Sequence, residues 1–73
     1  MTKTITAVFD DPGQMTNAFD DLISLGIPRE TIFADKQPPV IKVAAPGNAV
    51  PEISEVLRRH HPTDVSETPF PAS

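Results

Sequence analysis

The sequence repeats a strand–helix–strand pattern, and this repeat constrains the fold more than any other feature. Residues of the same kind fall at equivalent positions when the halves are offset by 34 residues (46 minus 12): Pro12-Gly13 on Pro46-Gly47, Ala7 on Ile41, Phe19 on Ile53 and Pro28 on Pro62. A single strand–helix–strand unit exposes too much apolar surface to be stable alone. The repeat therefore predicts one domain, residues 1–68, in which the halves 4–35 and 39–68 bury each other's apolar faces.

The first half contains a strand followed by a helix with clear end signals. Residues 4–10 alternate apolar and polar side chains, which predicts a half-buried strand. Asp11 is a suitable N-cap, Pro12 suits the first helical position, and Gly26 suits the left-handed residue after the last turn. We therefore predict a helix over residues 12–25. One apolar stripe lies along it: Met15, Ala18, Phe19, Leu22 and Leu25.

The rest of the chain completes the pattern. Residues 31–35 and 40–45 predict two further strands, separated by the break KQPP. The turn PGN then leads into a second helix, for which we predict Asn48 as the cap and an apolar stripe at Ile53, Val56 and Leu57. Residues 64–68 predict a last strand. Pro69 cannot donate a ladder hydrogen bond, so this strand is expected at a sheet edge, with residues 69–73 as a flexible tail.

The order β-α-β-β-α-β predicts an α+β protein with the ferredoxin-like (split β-α-β) arrangement. Two halves related by a pseudo-twofold axis form a four-stranded antiparallel sheet with both helices on one face. Right-handed crossover connections leave few alternatives. We expect the strand order 4-1-3-2, with the strands richest in Ile, Val and Phe at the centre.

Composition excludes several classes of function. Cysteine is absent, which excludes disulfides, thiolate metal sites and cysteine nucleophiles. The net charge is −4, the six basic residues are dispersed, and Trp and Tyr are missing, so nucleic-acid binding is disfavoured. No apolar run approaches the ~20 residues of a membrane span. We expect a cytoplasmic protein whose membrane association is at most peripheral.

Two segments carry a family resemblance. TAVFDDPGQMTNAFDDLISLGIPRETI and VIKVAAPGNAVPEISEVLRRHHPTDVSE resemble the opening and closing parts of the bacterial heat-induced or general stress proteins. Many members of that family carry a long Gly-rich apolar segment between the halves, whereas this chain has only DKQPP there. The resemblance implies a ferredoxin-like domain associated with stress, and it implies no reaction, cofactor or ligand.

His60 and His61 are weak candidates for a metal site. Adjacent residues of a helix point about 100° apart, whereas chelation from one helix favours the spacing i, i+4. Two copies of the chain could pool their imidazoles around zinc or nickel. The favoured interpretation is a helix end, in which His60 packs at the end of the apolar stripe and His61 caps the last carbonyls. The repeat also aligns His60 with Gly26, so we predict His60 as the left-handed residue.

The remaining polar groups do not indicate catalysis. The pairs Asp10-Asp11 and Asp20-Asp21 are expected at a cap and on solvated surface, since their spacing is not that of a calcium loop. The serines lie in no nucleophile motif. Helix initiation explains the glycines that begin both helices. We therefore predict a non-enzymatic protein without a cofactor.

The face of the sheet opposite the helices is the main candidate binding surface. We expect small or apolar side chains around one lysine there: Thr4, Thr6, Val8, Phe33, Val40, Lys42 and Ala44. Such a small uncovered sheet favours pairing through its face or an edge strand. We therefore predict a protein–protein interaction or accessory module, a homodimer or part of a larger assembly. The alternative is a small-molecule or metal sensor that uses this face or the His60/His61 helix end.

Overall fold

The computed structural model describes residues 1–69 and shows the predicted β-α-β-β-α-β order. The strands and helices are β1 (Thr2–Val8), α1 (Pro12–Leu25), β2 (Ile32–Lys36), β3 (Pro39–Pro46), α2 (Val50–Arg58) and β4 (Asp64–Pro69). Short 3₁₀ turns, Arg29–Thr31 and Gly47–Ala49, precede β2 and α2. The chain is therefore an α+β domain of the ferredoxin-like type.

The four strands form one antiparallel sheet in the order β2-β3-β1-β4, which is the predicted order 4-1-3-2 in reverse. The two central strands pair along their whole length, and Ala7 lies opposite Ile41. These residues are also each other's equivalents in the 34-residue repeat (41 minus 7). The pseudo-twofold axis that relates the halves therefore passes beside this pair.

Helix α1 has the predicted bounds because both ends are closed by local signals. The Asp11 carboxylate accepts a hydrogen bond from the Gly13 N–H at 2.8 Å. At the other end Gly26 has φ 101°, a left-handed conformation that a residue without Cβ adopts at little cost. The N–H of Ile27 then bonds to the carbonyl of Leu22, which closes the last turn.

Helix α2 begins differently from the prediction. Asn48 lies inside the 3₁₀ turn, the residue before the helix is Ala49, and no side chain of residues 1–69 caps the first turn. The prediction of Asn48 as the cap was wrong. The reason is that the 3₁₀ turn itself leads into the helix, since the N–H of Val50 bonds to the carbonyl of Gly47.

The core lies between the helices and one face of the sheet. It consists of twelve buried apolar side chains: Ile5, Ala7, Phe9, Met15, Ala18, Leu22, Ile41, Val43, Ala45, Ile53, Val56 and Leu57. Both halves contribute, as the repeat requires. Three residues of the predicted α1 stripe are buried: Met15, Ala18 and Leu22. Phe19 is only partly buried against the core, and Leu25 is 39% exposed.

The strand bounds differ from the prediction by one or two residues. β1 is Thr2–Val8 rather than 4–10, and β4 includes Pro69. β4 is an edge strand, as Pro69 indicated. The other residues of the predicted tail, 70–73, lie outside the described residues. Within residues 1–69, no helix combines the length and the apolar character that crossing a membrane requires.

Candidate functional site

The strand register assembles the open face of the sheet, the side opposite the helices. Directly paired residues share a face, and all seven predicted residues fall on this one. Three rows cross the sheet, and they read from β2 to β4 as follows: Asp35, Val40, Val8 and Asp64; Phe33, Lys42, Thr6 and Ser66; Ala44, Thr4 and Thr68. We refer to these eleven residues as the open face.

Lys42 and Phe33 form the centre of the open face. They are direct cross-strand neighbours, and Phe33 is 70% exposed. An exposed aromatic ring offers a partner a large apolar contact area, and aromatic side chains are enriched among the residues that dominate binding. Lys42 makes no ion pair within residues 1–69, where the close contacts between basic and acidic side chains are Arg59–Glu55 and His60–Asp21. The face thus presents an aromatic ring beside an uncompensated cation.

Part of the open face is concave. A shallow depression of about 420 Å³ is lined by residues from all four strands and from the first 3₁₀ turn: Thr4, Thr6, Glu30, Thr31, Ile32, Phe33, Lys42, Ala44 and Thr68. Four of these side chains carry a hydroxyl group. Hydroxyl and ammonium donors around an aromatic wall can hold a carboxylate or a similar anion.

Negative charge lies at one end of the open face. Asp35 is opposite Val40 on the β2 edge, and Asp64 is opposite Val8 on the β4 edge. Two valines separate these carboxylates in the same row. The face therefore has a cationic centre and two anionic corners, and this polarity fixes the orientation of any partner that complements it.

Ser66, Thr68, Asp35 and Asp64 belong to the open face but were absent from the predicted set. Alternation within β2 places Asp35 beside Phe33, and this signal was present in the sequence. Which residues of β4 lie on the open face depends on how β4 pairs with β1, a strand more than fifty residues away in the chain. No local pattern fixes that register.

His60 and His61 have different surroundings. The Nε2 atom of His60 lies 2.6 Å from Oδ2 of Asp21, and the His60 side chain is 20% exposed. This contact joins the two helices. His61 is exposed. Asp21, expected on the solvated surface, is 48% exposed in its side chain, and the end of α2 places His60 against it.

The left-handed residue at the end of α2 is His61, with φ 58°, rather than the predicted His60. The last turn tightens: the N–H groups of His60 and His61 bond to the carbonyls of Leu57 and Arg58, three residues back. Because of this tighter turn, the left-handed residue comes one position later in the second half than the 34-residue repeat predicts. The tighter turn also leaves the His60 ring directed at Asp21.

Metal-binding chemistry has little support in the described part of the chain. Residues 1–69 contain no group of three or more His, Asp or Glu side chains arranged to hold a metal ion. Asp10, Asp11 and Asp20 are exposed, and Asp11 serves as the cap of α1. The predicted weak sites at His60 and His61 thus lack a third ligand within these residues.

A second groove of about 660 Å³ lies between α2 and β4. Its walls carry Glu55, Arg58 and Glu67, and Glu55 is already paired with Arg59 at 3.1 Å. Among residues 1–69, the side chains that line this groove carry charges of both signs and include no aromatic ring. The open face is the better candidate because it combines Phe33 with an unpaired cation.

Comparison of the chain with models of protein families, with curated proteins and with solved structures gives no match. The resemblance to the heat-induced stress proteins therefore stays a prediction.

Proposed function

We propose that this protein is a small interaction module, without a reaction of its own, whose open face binds another protein. The single observation that supports this proposal most is Lys42, which has no acidic partner among residues 1–69 and lies beside the exposed ring of Phe33 at the centre of the sheet. The resemblance of the sequence to bacterial stress proteins supports a role in the stress response. We place this role in the cytoplasm.

The chemistry of the open face defines the kind of partner. Covering Lys42 without a counter-charge removes an ammonium group from water at a large cost, so the partner presents a carboxylate opposite it. An apolar or aromatic side chain covers Phe33, which then becomes the anchor of the interface. The corners Asp35 and Asp64 favour basic residues at the rim.

Our first prediction concerns Lys42. We expect Lys42→Glu to abolish capture of the partner from native lysate, since it places two carboxylates opposite each other. The capture is compared with that by the wild-type protein and by Asn17→Glu, which introduces a negative charge on an exposed position of α1. Proteins retained by the wild type and by Asn17→Glu but lost with Lys42→Glu are identified by mass spectrometry. The affinity of the purified partner for Lys42→Glu is then expected to fall by about tenfold or more. If no captured protein depends on Lys42, the proposal is wrong.

A second function has support from the depression on the same face. Its hydroxyl groups and Lys42 suit a small organic anion, which makes the protein a sensor rather than a docking module. NMR titration with small mono- and dicarboxylates distinguishes the two functions. Saturable shifts at Thr4, Thr6 and Thr68 that disappear in Lys42→Ala support the sensor, and unmoved resonances exclude it for the acids tested.

A further inference from the structure

The free edge of β2 presents backbone hydrogen-bonding groups to its surroundings. Along the β1–β3 pair, the N–H of Phe9 bonds to the carbonyl of Pro39 and the N–H of Gly47 to the carbonyl of Met1. Odd-numbered residues of β1 and β3 therefore bond to each other, and the even-numbered residues of β3 bond to β2. Since Lys42 and Val40 pair with Phe33 and Asp35, the backbone groups of Ile32, Ala34 and Lys36 point away from the sheet.

An apolar surface of α1 lies directly beside this edge. Met15, Thr16 and Phe19 of the helix form a small hollow of about 200 Å³ with Ala34 and Lys36 of β2. Ile23, one turn after Phe19 on the same side of the helix, is 39% exposed. Arg29 covers one side of the Phe19 ring, 5.7 Å from its centroid. We refer to the exposed parts of Phe19 and Ile23 as the apolar strip. Among residues 1–69, only Arg29 covers part of this strip, and the strip adjoins the free edge of β2.

The two edges of the sheet differ in charge and in hydrogen-bonding capacity. β2 carries one acid and one base, Asp35 and Lys36, and its N–H groups at Ala34 and Lys36 both point outwards. On β4 the outward residues are Val65, Glu67 and Pro69, and Pro69 has no N–H. β4 also carries two carboxylates, Asp64 and Glu67, and no base. For a chain of net charge −4, pairing of two copies is less repulsive at β2.

We propose that two copies of this chain pair antiparallel through β2 and form a continuous eight-stranded sheet. Ala34 lies on the twofold axis opposite Ala34 of the second copy, and the two residues exchange both backbone hydrogen bonds. The N–H of Lys36 bonds to the carbonyl of Ile32 of the second copy. The N–H of Ile32 is already bonded to the carbonyl of Arg29 and takes no part.

Other registers are less favourable. A shift by one residue places side chains from the two faces opposite each other. A shift by two residues in one direction brings Asp35 opposite Asp35 of the second copy, and like charges directly opposite destabilise a strand pair. The same shift in the other direction pairs Ala34 with Ile32, whose N–H is occupied. The register centred on Ala34 uses the whole strand and puts Phe33 beside Asp35 of the second copy.

This pairing buries the apolar strip and preserves the open face. Around the axis, Phe19 and Ile23 of α1 meet their counterparts on the second copy, on the helix side of the joint sheet. On the opposite side the two open faces become one. The proposal does not rest on the proposed function, because it uses the backbone edge of β2 and the adjoining side of α1 rather than Lys42.

Amide hydrogen exchange of the wild-type protein tests the pairing at single residues. We expect the amides of Ala34 and Lys36 to exchange about tenfold more slowly at high than at low protein concentration. Val65 and Glu67 point outwards from the β4 edge and serve as internal controls that stay fast. If Ala34 and Lys36 exchange as fast as these controls at every concentration, or if the β4 amides become protected instead, the proposal is wrong.

Molar mass measured by light scattering tests the same contact with a matched pair of variants. We expect the wild type and Asn17→Lys to have twice the mass of the 7.9 kDa chain, and Ala34→Lys, with two lysines on the axis, to have the mass of one chain. Circular dichroism of Ala34→Lys serves as the control that this variant is folded. A wild-type monomer, a dimer that survives Ala34→Lys, or a dimer that is lost with Lys42→Glu instead contradicts pairing through β2.

Discussion

At the scale of single residues, the contact between His60 and Asp21 is the only side-chain hydrogen bond in residues 1–69 that links α1 to the turn at the end of α2. Its partners are 39 positions apart in the chain, and the His60 side chain is mostly shielded from water. A double-mutant cycle with His60→Ala and Asp21→Asn, measured by urea unfolding, is expected to give a coupling free energy of about 0.5–1 kcal/mol.

The ion pair between Arg59 and Glu55 provides the control for this cycle. Arg59 and Glu55 are 61% and 72% exposed in their side chains and lie one turn apart on α2. The corresponding cycle, Arg59→Ala with Glu55→Gln, is expected to give less coupling, about 0.3 kcal/mol, because water screens exposed charges. Equal coupling in the two cycles would contradict a structural role of His60.

At the scale of elements, the two helices begin by different physical means. α1 depends on the Asp11 carboxylate, whereas α2 starts from a 3₁₀ turn without a side-chain cap. Asp11→Ala is therefore expected to lower the free energy of unfolding by about 1 kcal/mol. Asn48→Ala is expected to change it by no more than a few tenths. Urea unfolding of both variants measures the difference.

The comparison of Asp11 with Asn48 also shows where the repeat fails as a guide. The segments PGQ and PGN look alike in the sequence. Only the first follows an aspartate, Asp11, whose carboxylate accepts a hydrogen bond from the N–H of Gly13 in the first turn of its helix. If Asn48→Ala lowers the free energy of unfolding as much as Asp11→Ala does, the prediction is wrong and Asn48 caps α2.

At the scale of the whole molecule, the core of twelve side chains is small, and the proposed pairing through β2 would add buried apolar surface to it. Pairing through β2 links folding to association, so the melting temperature of the wild type is expected to rise with protein concentration. Ala34→Lys is expected to melt at one temperature at all concentrations. Differential scanning calorimetry over a dilution series measures both. A wild-type melting temperature that is independent of concentration would contradict the linkage.

The sequence alone determined the fold class, the order of the strands and the bounds of α1. These depend on interactions close along the chain: the alternation in β1, the stripe of Met15, Ala18 and Leu22, the cap at Asp11 and the left-handed residue Gly26. The handedness of crossover connections then leaves few topologies. Local chemistry and chirality suffice for such features.

Only the tertiary structure decided which distant residues meet. The register of β4 against β1 brings Thr68 and Ser66 onto the open face, and the packing of α2 on α1 brings His60 to Asp21. The direction of the backbone groups at Ala34 follows from hydrogen bonds at the far ends of β1 and β3. In each case, the geometry depends on how separate elements pack, since a shift of one residue in a strand exchanges its faces.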